Sequence, residues 1–535
     1  MQHTDWLLTH SERANADTRL DDRHPGETAW SEGNLVRPLI HGVTYFAELH
    51  ERLEATQPGD LVLFTDWQGD ADEQLTGEPG SEVVEVLARA DERGVDVRGL
   101  IWRSHMEMLN FSASENRLLG RQLQARGAEA LLDMRVRAGG SHHQKLVVIR
   151  CRDHPERDIA YVGGIDLCHS RRDDAQHLGD PQALEMAPEY GEIPPWHDVQ
   201  AAITGPAVYD VETVFRERWE DPTRLTRHPV YWTQDKLRGM DMHPGPLPEQ
   251  APPPPSPEGA TQTVQLLRTY PNLRHGRDYP FARGGERSVA LGYSKAISRS
   301  RHLIYIEDQY LWGQQVGDLF TEALQRNKDL HVIAVVPLFT DQEGFLARTP
   351  QLLGRARAMK QMQEAAPGRV GIYGIENHED TPIYVHAKVC VMDDVWSTIG
   401  SDNFNRRSWT HDSELSAVVV DPSAEDHSPY ARRLRLTLAA EHLDRVVDLQ
   451  DDASLLEVLE DCVEAPGMFA AYDEAARRLD DWHDGGRVGV RPPGRLRRLG
   501  RPELSRLEQA AAIVPYLVLH DPDGRPKPLR HTERF

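Results

Sequence analysis

The sequence predicts an α/β fold written twice in one chain. First, "SHHQKLVVIR" (141–150) and "VHAKVCVMD" (385–393) each carry His-x-Lys followed by four mostly apolar residues. Second, His143 and His386 stand 243 positions apart, while Asp66 and Asp308, each closing a strand-like run, stand 242 apart. An offset kept across half a chain points to tandem duplication. Third, short apolar runs alternate with amphipathic stretches, the pattern of sheets covered by helices. A chain of 535 residues, 39% hydrophobic and 27% charged, is long enough for more than one domain and for a sizeable core.

Taken in order, residues 1–30 are polar and read as an irregular N-terminal arm. A first repeat spans 31–240, with its motif region at 137–170. In it "HGVTYFAELHERLEATQPGDLVLFTDWQ" (41–68) reads as helix, turn and buried strand, and "GVDVRGLIW" (94–102) as the next strand. Residues 241–262 form a Pro-rich linker, because "PGPLPEQAPPPPSP" (244–257) can be neither helix nor central strand. A second repeat spans 263–450, with its motif region at 380–409. There "YSKAISRSRHLIYIEDQYLW" (293–312) and "LHVIAVVPL" (330–338) repeat the first half's order. Residues 451–535 make a helical and basic extension. Its run "RVGVRPPGRLRRLGR" (487–501) reads as a solvated loop or as a surface for anionic headgroups.

Lys and Arg number 61 against 85 Asp and Glu, a formal charge of −24 that opposes nonspecific binding to nucleic acid, so no nucleic-acid partner is expected. The cysteines (Cys151, Cys168, Cys390, Cys462) form no CxxC pair, which argues against a zinc framework and suits a reducing compartment. No secretory leader and no apolar run of ~18 residues is read, so the expected location is cytoplasmic, with any bilayer met from outside. Oligomeric state is left open, and a monomer suffices.

On a strand, residues i and i+2 share a face, so His143 emerges with Lys145 and His386 with Lys388. Two imidazoles and two ammonium groups in one cleft suit a phosphodiester. The lysines balance the anion and the charge developing on it. One neutral histidine can attack phosphorus, and a second, protonated one can give a proton to the leaving alcohol. Such histidines need a carboxylate behind the ring. Asp198 in "PPWHDVQ" and Glu414 in "HDSELSAVVV" each precede an apolar run and can project from a strand start toward a histidine. Glycine turns follow both motifs: Gly163, Gly164 and Asp166 match Gly400, Ser401 and Asn403. Small residues there let backbone approach a phosphate, and Ser401 and Asn403 can donate to its oxygens. A zinc site from His142, His143, His197 and Asp198 is disfavoured by the lysine two residues after each key histidine. No metal and no cofactor is expected.

These motifs resemble the phospholipase D superfamily, whose hallmark is two H-x-K-x(4)-D motifs. The likeness covers roughly residues 35–445 and includes "YIEDQYLW", "HHQK", "VGGIDLC", "WHD", "GSDNFNRRSW" and "DSEL". It implies two α/β/α sandwich repeats packed about a pseudo-twofold axis, with one active site between them. It implies His143 as nucleophile, His386 as acid and then base, and Asp198 and Glu414 as their orienting carboxylates. Lys145, Lys388, Ser401, Asn403, Gly164 and Asp166 would surround the phosphate. The implied reaction cleaves the headgroup phosphodiester of a phosphatidylcholine-like glycerophospholipid at a membrane surface, giving phosphatidic acid through a phosphohistidine. Water or a primary alcohol is the acceptor. A cardiolipin synthase-like phosphatidyltransferase and a nuclease are the alternatives within the superfamily. No calcium-binding membrane module is read before the first half. The motif aspartate, Asp393, is expected to be structural. Arg150 stands in its place in the first half, with Asp153 or Asp158 as candidate substitutes.

Overall fold

The computed structural model describes residues 3–105, 113–273, 278–342, 345–532 and 535. Its strands are β1 (Ser31–Ile40), β2 (Leu61–Asp66), β3 (Asp96–Trp102), β4 (Glu129–Asp133), β5 (Leu146–Arg150), β6 (Ile159–Gly163), β7 (Trp196–His197), β8 (Val199–Thr204) and β9 (Gln262–Tyr270), followed by β10 (Glu286–Arg287), β11 (Leu303–Glu307), β12 (His331–Val335), β13 (Val370–Ile375), β14 (Tyr384–Val385), β15 (Val389–Met392), β16 (Trp396–Gly400), β17 (Glu414–Val420) and β18 (Leu496–Arg498). All but β7 and β14 join one continuous sheet. From one edge the first half reads β4-β3-β2-β5-β6-β8-β1, and from the other, inside the added edge strand β18, the second half reads β13-β12-β11-β15-β16-β17-β9. The two sequences of strands match one for one. The halves meet where β1 pairs antiparallel with β9. The mixed α/β class and the duplication read from the sequence are both present.

The central strands are buried on both faces, as "LVLFTD" in β2 and "LVVIR" in β5 require. Alternation then sorts their side chains. Leu61 and Leu63 enter a core shared by both halves, under helices Ala207–Trp219 and Pro429–His442. Val62 and Phe64 face a core private to the first half, under helices Gly42–Glu54 and Val83–Glu92. The second half has its own outer core under helices Ser288–Arg299, Gln314–Arg326 and Phe345–Ala365.

Two segments are more firmly held than their composition suggests. The N-terminal arm is irregular apart from short helices at His3–Trp6 and His10–Arg13, but it is anchored. Trp6, Leu7 and Leu8 insert into the second half's outer core, and buried Arg13 pairs with Asp21 at 2.7 Å and Glu286 at 3.2 Å. Apolar burial and a buried cation fix a segment that looks merely polar. The basic run is part loop and part strand, with residues 487–490 exposed and the rest held to the chain. Residues 496–498 pair with β13, and Arg491, Arg495, Arg497 and Arg498 are matched with Glu376, Asp444, Asp480 and Asp473 respectively. Their charge is neutralised within the chain.

The gap left by Arg150 is closed from three sides. Asp393 accepts backbone N–H bonds from Arg301 (2.6 Å), His302 (2.8 Å) and Leu303 (2.8 Å), pinning the start of β11. In the first half the carboxylate sits on the opposite chain segment. Asp60, one residue before β2, accepts from Arg152 N at 2.9 Å and Gln57 N at 2.8 Å. Asp158 accepts from Cys151 N at 2.6 Å and pairs with Arg150 at 2.8 Å. Arg150 also binds Glu212 at 2.6 Å and donates to the linker carbonyls of Ala251 (3.2 Å) and Pro252 (2.6 Å). Burial pushes Asp158 up to about 6 even with Arg150 beside it. Restoring the motif with Arg150→Asp is therefore expected to destabilise the fold. It sets a third carboxylate among Glu212 and Asp158, at a cost of about 3 kcal/mol by urea denaturation. A stability equal to or above wild type would show that Arg150 is dispensable.

Candidate active site

Each His-x-Lys segment is stitched to the other half just before that half's acidic residue. His143 N donates to Ser413 O at 2.9 Å, and Ser413 N to Ser141 O at 3.0 Å. On the other side β14 pairs parallel with β7, and His386 N donates to His197 O at 2.8 Å. The residue after Ser413 is Glu414 and the residue after His197 is Asp198. The carboxylates therefore cross between halves. His143 Nδ1 lies 2.8 Å from Glu414 Oε2, and His386 Nδ1 lies 2.6 Å from Asp198 Oδ2. The sequence placed a carboxylate near each histidine but did not specify this exchange.

An Nδ1–H given to a carboxylate leaves the Nε2 lone pair free. Burial, reinforced by Lys145 and Lys388, holds His143 well below the usual imidazole range. Burial and Lys388 do the same to His386. Burial alone would raise Asp198, but His386, Lys388 and the Val199 N–H outweigh it and keep the carboxylate ionised. Glu414 differs: burial, with Asp412 adding to it, pushes it up to about 8 against the opposing Ser401 and Lys145. The two imidazoles thus lean on carboxylates of unequal basicity.

The lysines are also unequal. Each Nζ turns back to the carbonyl of its own histidine, Lys145 to His143 O at 3.1 Å and Lys388 to His386 O. Lys145 lies 3.4 Å from Asp166 Oδ1, whereas Lys388 has no carboxylate within 4 Å among the described residues. Burial, with Lys145 adding to it, pulls Lys388 down to about 8. Trp67 stands 6.0 Å from the His143 ring and Trp196 5.0 Å from the His386 ring, so an indole walls each side.

Three residues assigned to the phosphate do other work. Ser401 Oγ donates its hydrogen to Glu414 Oε2 at 2.6 Å and accepts from Leu415 N at 3.0 Å, so it holds the carboxylate behind His143. Asp166 accepts from Trp67 N at 3.1 Å and Gln68 N at 3.3 Å. An anionic acceptor would repel phosphate, so it positions Lys145 instead. A Cβ on Gly164 would lie 2.6 Å from Asp198 Oδ1, so that glycine makes room for the carboxylate. Asn403, the counterpart of Asp166, is buried with its Oδ1 unbonded, and its amide is the polar group left for a phosphate oxygen. The zinc grouping is not brought together: His142 is buried with neither ring nitrogen bonded, while His143 and Asp198 are engaged as described. The sequence missed the Trp67 and Trp196 walls, although each indole lies within two residues of a carboxylate in the motifs "TDW" and "WHD".

A family model described as phospholipase D matches residues 60–336, and one described as cardiolipin synthase, PLD-like domain, matches residues 293–434. Phospholipase D1 of Schizosaccharomyces pombe is 27% identical over 405 residues, covering 58% of this chain and 28% of that protein. Phospholipase D alpha 1 of Arabidopsis thaliana is 24% identical over 534 residues, covering 75% of this chain and 64% of its own length. The chain thus spans less than two thirds of these relatives. Among solved structures, a phosphatidylserine synthase from Haemophilus influenzae Rd KW20 aligns with a TM-score of 0.48 at 12% identity, covering 84% of this chain and 94% of that one.

Proposed function

The chain belongs to the phospholipase D family, and from that premise we propose that it is a phosphodiesterase acting on the headgroup phosphodiester of a glycerophospholipid. His143 Nε2 attacks phosphorus, and a P–N bond forms as the P–O bond to the headgroup breaks. His386, neutral in the empty site, takes up a proton on Nε2 when the phosphate anion offsets Lys388 beside it, and with ionised Asp198 behind the ring gives that proton to the departing oxygen. His386 then takes a proton from water or a primary alcohol. That oxygen attacks phosphorus, the P–N bond breaks, and His143 leaves as the neutral imidazole. Lys145, Lys388 and Asn403 balance charge on the non-bridging oxygens. The observation that carries this reading is the crossed pair of His–carboxylate contacts beside the unpaired ammonium of Lys388. No helix among the described residues is long and apolar enough to cross a membrane.

Incubation with phosphatidylcholine vesicles and ethanol should yield phosphatidylethanol alongside phosphatidic acid. Neither product across a panel of phospholipid headgroups would overturn the reading. The match of residues 293–434 to a cardiolipin synthase-type domain supports a second reading, a phosphatidyltransferase. Phosphatidylglycerol supplied alone separates the two, since cardiolipin outpacing phosphatidic acid identifies the transferase.

A further inference from the structure

Directly behind the His386 side of the site lies a buried nest of imidazoles that the proposed reaction does not use. His41, His177 and His197 come from the first half, and Glu441 comes from helix Pro429–His442 of the second. Glu441 Oε2 lies 2.8 Å from His41 Nε2, and its Oε1 lies 3.0 Å from His177 Nε2 and 3.5 Å from His197 Nδ1. The three histidines are at most 2% exposed.

The hydrogen positions in this nest are constrained. His177 Nδ1 lies 2.9 Å from Trp196 O and 3.7 Å from Asp173 Oδ2, both acceptors, so that nitrogen carries the hydrogen. His197 Nε2 lies 2.6 Å from Glu307 Oε2, a carboxylate that also faces His442 Nε2 at 2.7 Å, so it too carries one. In neutral rings the remaining nitrogens, His177 Nε2 and His197 Nδ1, then present lone pairs to a carboxylate oxygen. His197 Nδ1 and His41 Nδ1 have no hydrogen-bond partner. Glu441 and Glu307 bring two negative charges, and among the described residues no Lys or Arg lies within 4 Å of either. Buried charge of this kind needs a balancing cation. Against the pull of burial, Asp173 and Glu441 raise His177, and Glu307 and Glu441 raise His197, so the balance is either protons on these rings or a bound metal ion in their place.

The pseudo-symmetric position is built differently. Ser413 stands there in the place of His197, each preceding its carboxylate. Arg218, a permanent cation, donates to Ser413 Oγ at 3.0 Å and to Asp133 at 2.6 Å. One side of the molecule therefore has a built-in positive charge, and the other has imidazoles aimed at a carboxylate.

We propose that this nest binds one divalent transition-metal ion, with Zn²⁺ the best match to the donor set, through His41 Nε2, His177 Nε2, His197 Nδ1 and Glu441. The four ligand atoms all lie within 4.8 Å of one another. From Glu441 Oε1, His177 and His197 stand at 3.0 and 3.5 Å, near the ~3.3 Å edge of a tetrahedron with zinc–nitrogen bonds of about 2.0–2.1 Å, while His41 contacts the other oxygen at 2.8 Å. Trp196 O behind His177 and Glu307 behind His197 are the outer partners that orient ligating imidazoles. A closed set of four protein ligands makes this a structural ion, separate from the reacting phosphate, although the motifs alone lead one to expect no metal. It joins the two halves and fixes His197, whose carbonyl receives the N–H groups of His386 and Ala387.

The test is metal analysis of the full chain purified from zinc-supplemented medium and desalted. It needs no lipid turnover, so its outcome is independent of the proposed reaction. About one equivalent of zinc per chain is expected. Cobalt loading should give the ligand-field absorption of a four-coordinate ion. Chelation should lower the thermal midpoint reversibly. Glu441→Gln should lose the ion, and so should His41→Gln, a milder change at a ring with an unbonded nitrogen, with far-ultraviolet circular dichroism unchanged. Wild-type protein that retains less than about a tenth of an equivalent after loading with zinc or cobalt overturns the proposal. So does undiminished metal in the folded His41→Gln and Glu441→Gln variants.

Discussion

Alanine at His143 should lower phosphodiester turnover by about 10⁴-fold or more while leaving the fold intact, because it removes the attacking atom itself. Alanine at His386 should cost about 10²–10⁴-fold on a natural headgroup, the usual worth of a positioned proton donor. The two variants should part company on a substrate with p-nitrophenol as leaving group. That group departs without a proton, so His386→Ala should recover much of the first step and accumulate phosphate on His143. His143→Ala should recover nothing. Rapid-quench trapping and peptide mapping decide it. Phosphate found on His386, or recovery by His143→Ala, would reverse the two roles. The unequal carboxylates motivate the assignment. Ionised Asp198 supports an imidazolium at His386, while Glu414, pushed up to about 8, does less to charge His143.

The second large effect is at Lys388. Its ammonium is buried without a carboxylate partner and is pulled down to about 8 from an ordinary 10.5. The folded value lies below the unfolded one, so the native state disfavours the bound proton. The destabilisation is fully present below about pH 8 and fades as the pH rises toward 10.5. The gap corresponds to roughly 3 kcal/mol. Lys388→Met should therefore raise stability at pH 7 by about 2–3 kcal/mol, less the lost bond to His386 O, while abolishing turnover. In the wild type, kcat/KM should fall about tenfold per pH unit above pH 8 as the ammonium is lost. Lys388→Arg, where it retains activity, should lack that limb. Unchanged stability in Lys388→Met together with a flat alkaline profile would show that the buried charge is not the controlling group.

The α/β class and the duplication were legible because they repeat. Alternating runs and a kept offset survive in one dimension, and His143, Lys145, His386 and Lys388 sit at i and i+2 in the extended segments that lead into β5 and β15, which a short pattern identifies. What could not be read depends on which segments lie side by side. The exchange of Glu414 and Asp198 follows from Ser413 pairing with the His143 segment and β7 with β14, contacts between residues 188 or more positions apart. The role of Ser401 follows from the same packing, since a serine after a glycine reads equally well as a phosphate donor. Asp60 could not be found by looking along the His-x-Lys strand, because it reaches across from the neighbouring one. His41, His177, His197 and Glu441 are each ordinary in sequence and gain meaning only when the halves close on one another.

The crossed carboxylates also bear on how the chain can be divided. A fragment ending in the proline-rich linker would keep His143 and Lys145 but lose Glu414, and would keep Asp198 with no ring to serve. Neither fragment alone holds a working histidine, yet each holds what the other lacks. The molecule is in effect a tethered dimer, and co-expressed fragments that re-form the β1–β9 seam would restore both pairs at once. For the same reason, damage at Glu414 is felt at a ring 271 positions away in the opposite half.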